Sequence, residues 1–504
     1  MPRTRHPERA HGGRAGRQRV LVIGSEALPF AKTGGLADVL GALPIALTHL
    51  GWDVTLAMPR YRGISTGRVV EQFPVSVGGY TREVTFWDAP LGEAARVVFV
   101  DCPDLFDREQ LYGVGNDDYA DNARRFAFFV RAVLEFAGRS VAPDVVHAHD
   151  WQAGLAPVYL RTLYASHPVL STAASVFTIH NLAYQGLFEP DWLPRIDLPW
   201  DLLGIDAMEY WGRISYLKGG INFSHAITTV SPTYAREIQT PEFGFGFDGI
   251  LRRRADALWG ILNGIDTSKW NPAADPYLPK PFSRDDLSGK ATAKAAVLAR
   301  YGIPVDEATL ARPLVGMISR MVDQKGLDLI AALAPELPRL DATFIVLGTG
   351  EPQYQDMWTR LAAAHPDRIG AHIGFDEGLA HLIEAGADLF LMPSHFEPCG
   401  LNQMYSLRYG TVPLVRAVGG LADTVVDCAP GVRGATGFVF QDYTPEALLV
   451  TLRRALSTFS NRRRWLALQR AGMRRDYSWD RSAREYVKIY EWAGERAGLR
   501  QRPA

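Results

Sequence analysis

The sequence predicts an α/β fold of two domains, each built on a doubly wound parallel sheet. Three observations carry that reading. Short β-branched apolar runs alternate with stretches of helical periodicity along most of the chain. The alternation breaks once, at a Pro-, Asp- and Asn-rich stretch near the middle. The length, 504 residues, is about three times that of a typical single domain.

Regular structure is expected from Val20. VLVI (20–23) reads as a buried parallel strand. Leu36, Val39, Leu40, Leu43, Leu47 and Leu50 then fall at helical spacing, and Gly51 stands where a C-terminal cap is expected. Val54 to Ala57 reads as the next strand, completing a βαβ unit. VVFV (97–100), DVVHAH (144–149), SVFTIH (175–180) and AITTV (226–230) each look like a strand entering a polar loop. The stretch between about Ile261 and Pro313 reads as the hinge. A second series follows: LVGMI (314–318), TFIVLG (343–348), AHIGF (371–375), DLFLMP (388–393), VPLV (412–415) and GFVF (437–440). A final helix is expected over 479–497, with Ser478 as its cap. The expected divisions are 1–19 a basic tail, 20–260 the first domain, and 261–477 the hinge and second domain. Residues 478–504 are expected to be a helix and tail packing back on the first domain.

Composition excludes several classes. Charged residues are 22% and the hydrophobic set 47%, enough apolar surface to offset chain entropy, so disorder is excluded as the main state. The balance of 54 basic against 55 acidic residues argues against nucleic acid or a membrane surface as partner. No apolar run approaches a bilayer span. Three cysteines, with no CxxC pair, make neither a disulfide framework nor a zinc site. The tail holds six Arg but no apolar or Ser-rich region, so it reads as neither signal nor transit peptide, and a cytoplasmic enzyme is expected.

Only eight of the 54 basic residues are Lys, so each retained Lys is worth inspecting. Lys32 opens KTGGLADV (32–39). There Gly34 and Gly35 let the backbone approach a ligand, and a helix start favours negative charge. The spacing matches neither the Walker pattern nor GxGxxG. GGLAD recurs at 419–423, again before a helix and one copy in each half, so two facing domains would bring both Gly-Gly turns to one cleft. Arg320 and Lys325, in SRMVDQKG (319–326), are two cations able to neutralise a diphosphate. Glu397 follows the apolar strand DLFLM, where a structural acid has little reason to be, while Cys399 reads as a small turn residue. HAHDW (147–151) and TIHNLAYQ (178–185) supply imidazoles, an acid, amides and rings suited to sugar recognition. His147 and His149 could mimic a metal pair, but no third ligand is evident.

Taken together, KTGGLADV, VVHAHDWQAG, FTIHNLAYQG, ILNGID, SRMVDQKGLD, PSHFEPCGLNQMYSLRYG and GGLADTV resemble the bacterial glycogen synthases, close kin of plant starch synthases. The resemblance runs from about Val20 to about Tyr490. It implies two Rossmann-type domains facing a deep interdomain cleft, the GT-B glycosyltransferase architecture. It also implies transfer of glucose, with retention, from ADP-glucose to the non-reducing end of glycogen or another α-1,4-glucan. Basic groups for the diphosphate, with no acidic metal-bridging pair next to them, add the expectation of neither metal nor cofactor. By that resemblance Lys32, Gly34 and Gly35 bind the donor, Arg320 and Lys325 grip the diphosphate, and His180 and Asp150 contact the transferred glucose. Glu397 is the essential acid. Cys399, Gly400 and Leu401, with the amides of Gly419, Gly420 and Leu421, complete the donor site, and Asn181, Tyr184 and Gln185 are expected to contact the acceptor or another sugar. Position 405, eight after Glu397, is Tyr where many related transferases carry a second Glu, and in lacking that Glu the chain is similar to the glycogen synthases. Competing readings are a glucosyltransferase with another nucleotide or a soluble product such as maltose phosphate, and a non-catalytic glucan-binding protein. The second predicts erosion at Lys32, Arg320, Lys325 or Glu397, and all four are present.

Overall fold

The computed structural model describes residues 16–115 and 117–498. The expected basic tail lies outside the described residues as far as residue 15, as do residues 499–504. Among the described residues the chain forms two large α/β sheets.

The first sheet begins with β1 (Arg19–Ile23), followed by α1 (Gly35–His49) and β2 (Asp53–Pro59). Leu36, Val39, Leu40, Leu43 and Leu47 are buried as their spacing predicts, and Gly51, at φ +90°, follows the end of the helix. Next come β3 (Arg68–Val77), β4 (Tyr80–Leu91) and β5 (Ala95–Asp101), then β6 (Val145–His149), β7 (Ala174–Ile179), β8 (Ala226–Thr229), the short helix α2 (Pro232–Glu237) and β9 (Leu258–Gly260). Their order across the sheet is β9-β8-β7-β6-β1-β2-β5-β4-β3. All neighbours pair parallel except in the β3–β4–β5 meander. The meander was not read from the sequence: β3 faces solvent along much of its length, so it lacks the apolar run that marks the other strands.

The second sheet holds β10 (Leu314–Ile318), β11 (Thr343–Gly348), β12 (Ile369–Ile373) and β13 (Leu389–Met392). It continues through α3 (Asn402–Tyr409), β14 (Val412–Arg416), α4 (Gly419–Thr424) and β15 (Phe438–Phe440). Its order is β12-β11-β10-β13-β14-β15, all parallel. The strand expected over 371–375 sits two residues earlier, because Gly374 turns the backbone to φ +152° and Phe375 stands 86% exposed. Separate apolar clusters cover the two faces of this sheet, whereas the first sheet shares one large core with α3 and the C-terminal helix.

Two chain crossings join the halves, and they are laced together. Ile265 N–H donates to the Tyr477 carbonyl at 2.8 Å, and Gly264 lies so close to Trp479 that a Cβ there would meet its backbone at 2.6 Å. Beyond the first crossing, Trp270 is sandwiched between His381 and Tyr405 at 3.8 Å from each ring, anchoring the linker to the second domain. The last helix, α5 (Trp479–Arg496), returns to the first domain, where Tyr490 packs edge-on against Trp52. Ser478 occupies the N-cap position, but its side chain makes no cap; its N–H is instead donated to Asp476 Oδ1 at 2.9 Å. No helix among the described residues is long and apolar enough to cross a membrane.

In each sheet one central strand has its sequence successors on opposite sides: β1 lies between β2 and β6, and β10 between β11 and β13. At such switch points the loops beyond the strand ends splay apart and leave a crevice. The loops leaving β1, β6, β7, β10 and β13 carry the motifs singled out in the sequence.

Candidate active site

A cleft of about 590 Å³ opens between the domains. Lys32, Gly34, Gly35, Asp150, His180, Asn181 and Tyr184 line it from the first domain, and Arg320, Lys325, Glu397, Cys399, Gly400 and Leu401 from the second. Residues 32 and 401 are separated by most of the chain, yet they line one cleft because each lies beyond the strand ends at the switch point of its own sheet.

On the first-domain side, the loop after β1 is held by a residue the sequence reading missed. Glu26, 3% exposed, accepts from Thr33 Oγ1 at 2.6 Å, from the N–H groups of Thr33 and Gly34, and from Tyr112 OH at 2.6 Å. This buried carboxylate clamps the turn that presents Gly34 and Gly35 to open space. The available signal was an acid directly after an apolar strand, the pattern already noted for Glu397. Lys32 Nζ pairs with Oδ1 of Asp38, the last residue of the GGLAD segment that follows it, at 2.9 Å, and stays 44% exposed.

Asp150 follows β6 directly in a left-handed conformation, φ +55°, which few non-glycine residues adopt. Its Oδ1 accepts the His180 N–H at 2.7 Å, joining the ends of β6 and β7. Burial pushes the Asp150 carboxyl up to about 7, opposed by the N–H groups of His180 and Asn181. Burial lowers His180 to about 3, so its ring is neutral near neutral pH. Tyr184 projects into the cleft at 54% exposure. Gln185 lies outside the cleft lining: its Nε2 donates to the Phe245 carbonyl at 3.1 Å. His147 and His149 do not form a metal pair; their rings pack 4.0 Å apart. His147 is bonded on both sides, to Tyr490 OH and Thr178 Oγ1.

On the second-domain side the loops after β10 and β13 interlock. His395 N–H donates to the Gln324 carbonyl at 2.9 Å, and Gly326, at φ +75°, passes so near Pro393 that a Cβ would lie 2.2 Å from its carbonyl. That interlock sets Lys325 Nζ 2.6 Å from Glu397 Oε2, which also accepts from Ser394 Oγ at 3.0 Å. Arg320 is exposed and donates to Gln324 Oε1 at 3.0 Å, which leaves the rest of its guanidinium for a ligand. Cys399 is buried and its thiol is pushed up to about 12, so it is a poor thiolate nucleophile, as its reading as a turn residue implies. Helix α3 starts just beyond, at Asn402; the Met404 and Tyr405 amides already donate to the Leu401 carbonyl, at 2.9 and 3.0 Å, which leaves the Asn402 and Gln403 amides open at the helix start.

The second GGLAD copy behaves differently, which corrects one expectation. Gly419, Gly420 and Leu421 do not line the cleft, and their amides are already engaged. Gly419 N–H donates to both Glu237 carboxylate oxygens, at 3.0 and 3.1 Å. Gly420 N–H points at the Glu397 and Pro398 carbonyls, and Leu421 N–H at the Val418 carbonyl. The glycines are there for packing: a Cβ at 419 would lie 1.9 Å from the Glu397 carbonyl oxygen, and one at 420 2.0 Å from that of Cys399. Asp423 reaches across to α2, where it accepts from Thr233 N–H at 2.8 Å and from Thr233 Oγ1 at 2.7 Å. One pentapeptide thus lines the cleft, and its echo fastens the two domains together.

Comparison with known proteins agrees with this architecture. Residues 19–253 match the family described as starch synthase catalytic domain, and residues 306–467 match glycosyl transferases group 1. The chain is 52% identical over 476 residues to a glycogen synthase of Anaeromyxobacter dehalogenans (strain 2CP-C), covering 94% of this chain and 99% of that protein. It is 48% identical to a glycogen synthase of Koribacter versatilis (strain Ellin345), covering 94% and 98%. Among solved structures it resembles the catalytic domain of starch synthase IV from Arabidopsis thaliana bound to ADP and acarbose, with TM-score 0.86, 35% identity, and 95% and 100% coverage. A sucrose-phosphate synthase from Thermosynechococcus elongatus shares the fold at 17% identity and TM-score 0.59.

Proposed function

The chain belongs to the glycogen and starch synthase family, and from that premise we propose that it lengthens an α-1,4-glucan by retaining transfer of glucose from ADP-glucose. The observation that carries this reading is the meeting of a cationic wall (Arg320 and Lys325) and a sugar-recognising wall (Asp150, His180 and Asn181) across one cleft. A nucleoside-diphosphate sugar needs both at once. The starch synthase IV neighbour, described as bound to ADP and acarbose, supports the same donor and glucan chemistry for this cleft.

In the proposed reaction the donor diphosphate lies against Arg320, Lys325 and the open amides at the start of α3, with Lys32 approaching from the opposite wall. The acceptor 4-hydroxyl approaches the face from which ADP leaves. The C1–oxygen bond to the diphosphate breaks, the acceptor oxygen takes C1 through an oxocarbenium-like state, and the hydroxyl proton passes to the departing phosphate oxygen. Arg320 and Lys325 offset the charge that grows on the diphosphate, where preorganised groups act most strongly. Glu397 holds Lys325 in place and puts negative charge near the reacting sugar. The Asp423–Thr233 and Glu237–Gly419 contacts hold the walls together and help exclude the water that would otherwise consume the donor.

The test is transfer of radiolabelled glucose to glycogen, with ADP-glucose and UDP-glucose side by side. Label entering polymer far faster from ADP-glucose is the expected result. Equal rates, or a soluble disaccharide as main product, would overturn the donor or the product assignment.

A further inference from the structure

His180 faces the cleft, and its ring is not free to choose which nitrogen carries the proton. Its Nε2 lies 2.9 Å from Nδ1 of His149. His149 is fully buried at the end of β6, and its own Nε2 is enclosed without any hydrogen-bond partner. Its other neighbour, His147, is bonded on both ring nitrogens elsewhere and only packs against it, tilted by 39°. Burial keeps all three rings neutral near neutral pH.

Two neutral imidazoles in contact through Nδ1 and Nε2 have two possible arrangements. If His149 carries its proton on Nε2, an N–H donor is buried with nothing to receive it. If the proton sits on Nδ1, it is donated to His180 and only a lone pair goes unmet. Orphaned buried N–H groups are the rarer and costlier state. The proton on Nδ1 makes His180 Nε2 an acceptor, which places the His180 proton on Nδ1. That nitrogen is not among the enclosed, unpartnered atoms and belongs to a cleft-lining ring.

We propose that His149 is a positioning residue: the bond from its Nδ1–H to His180 Nε2 locks His180 in the tautomer that offers Nδ1–H to the cleft. There it donates to an oxygen of the transferred sugar, a role that rests on the function proposed above. The partner of one ring nitrogen sets the state of the other, and this is the usual way a histidine's donor direction is fixed.

The inference separates two substitutions of similar bulk. His149→Asn keeps an amide N–H at the same number of bonds from Cβ, so it can still donate to His180. His149→Leu leaves His180 Nε2 without a partner. With melting curves matched, kcat is expected to stay near wild type for Asn and to fall about tenfold or more for Leu. KM for ADP-glucose should change little. Equal losses for Asn and Leu would overturn the proposal. Should the buried variants fail to fold, ring-nitrogen NMR of wild-type protein labelled with [15N]histidine decides directly, with His180 assigned through His180→Gln. A protonated Nδ1 and bare Nε2 are expected, and a protonated Nε2 overturns the inference. A wild-type protein that transfers no glucose would sink the function reading, while the NMR result would still decide the tautomer.

Discussion

Lys325 Nζ lies 2.6 Å from Glu397 Oε2, and the pair joins the loops that leave β10 and β13 at the switch point of the second sheet. Glu397 is 6% exposed, so it is buried beside the cation that neutralises it. The cation read as a diphosphate ligand and the acid read as essential are therefore one unit. Breaking a buried pair from one side leaves an uncompensated charge, which costs more than losing the contact.

Lys325→Ala and Glu397→Ala are accordingly expected to lower turnover by about 10²–10³ each, the range for removing a preorganised charge. Lys325→Ala with Glu397→Gln should cost clearly less than the product of the single losses, because the second change relieves the charge stranded by the first. Arg320→Ala should fall in the same range alone. Lys32→Ala should raise KM for ADP-glucose as well as slowing transfer. Cys399→Ser should be the mildest. Steady-state kinetics on variants with wild-type melting curves checks the order; a dead Cys399→Ser beside an active Glu397→Ala would demand a thiol mechanism.

The two GGLAD copies should respond to alanine in opposite ways. Gly34 is in extended backbone with no heavy atom within 4 Å of an added Cβ. Gly34→Ala should therefore leave stability within about 0.5 kcal/mol of wild type while raising KM for the donor. Gly419, at φ +44° and pressed on the Glu397 carbonyl, should lose roughly 1–3 kcal/mol or more on Gly419→Ala. Thermal melts and donor titrations of the two variants make the comparison. Equal stability losses would contradict the division of roles.

The raised Asp150 carboxyl predicts a pH signature. Folded near 7 and unfolded near about 3.9, it binds its proton more tightly in the native state. This group's contribution to stability therefore falls as pH rises from about 4 to about 7. Asp150→Asn should flatten the dependence of Tm on pH across that window and raise Tm at pH 8 relative to wild type. In wild type, kcat/KM should decline as pH drops below about 7 and the carboxylate is lost. Parallel Tm–pH curves for the two proteins would show that Asp150 titrates normally.

Arg320 meets only an amide oxygen, and Lys32 and Lys325 line the cleft beside their carboxylate partners Asp38 and Glu397, so three cationic donors face the diphosphate and it is expected to need no divalent cation. Enzyme treated with a chelator and then freed of it should keep most of its transferase activity. Loss of activity that added divalent metal restores would assign part of the leaving-group stabilisation to a metal.

Much of the architecture was legible in the sequence because burial and periodicity are local properties. VLVI, SVFTIH, LVGMI and DLFLM lie on the strands they announced, and the motifs at their ends reach one cleft because parallel α/β sheets put ligand sites beyond strand ends. The family, too, was written in short motifs, each a local string. What the sequence could not contain is the choice of partner for each polar group. Tyr112 bonded to Glu26 behind the first glycine turn, Lys325 paired with Glu397, His149 set against His180, and Glu237 claiming the Gly419 amide all depend on residues brought together from separate parts of the chain. The two GGLAD segments make the point most sharply: identical in sequence, one opens on the cleft and the other is packed against the Glu397–Cys399 backbone. Their local strings match, but a hydrogen bond goes to whichever group the tertiary packing places within about 3 Å, and only the folded chain decides that.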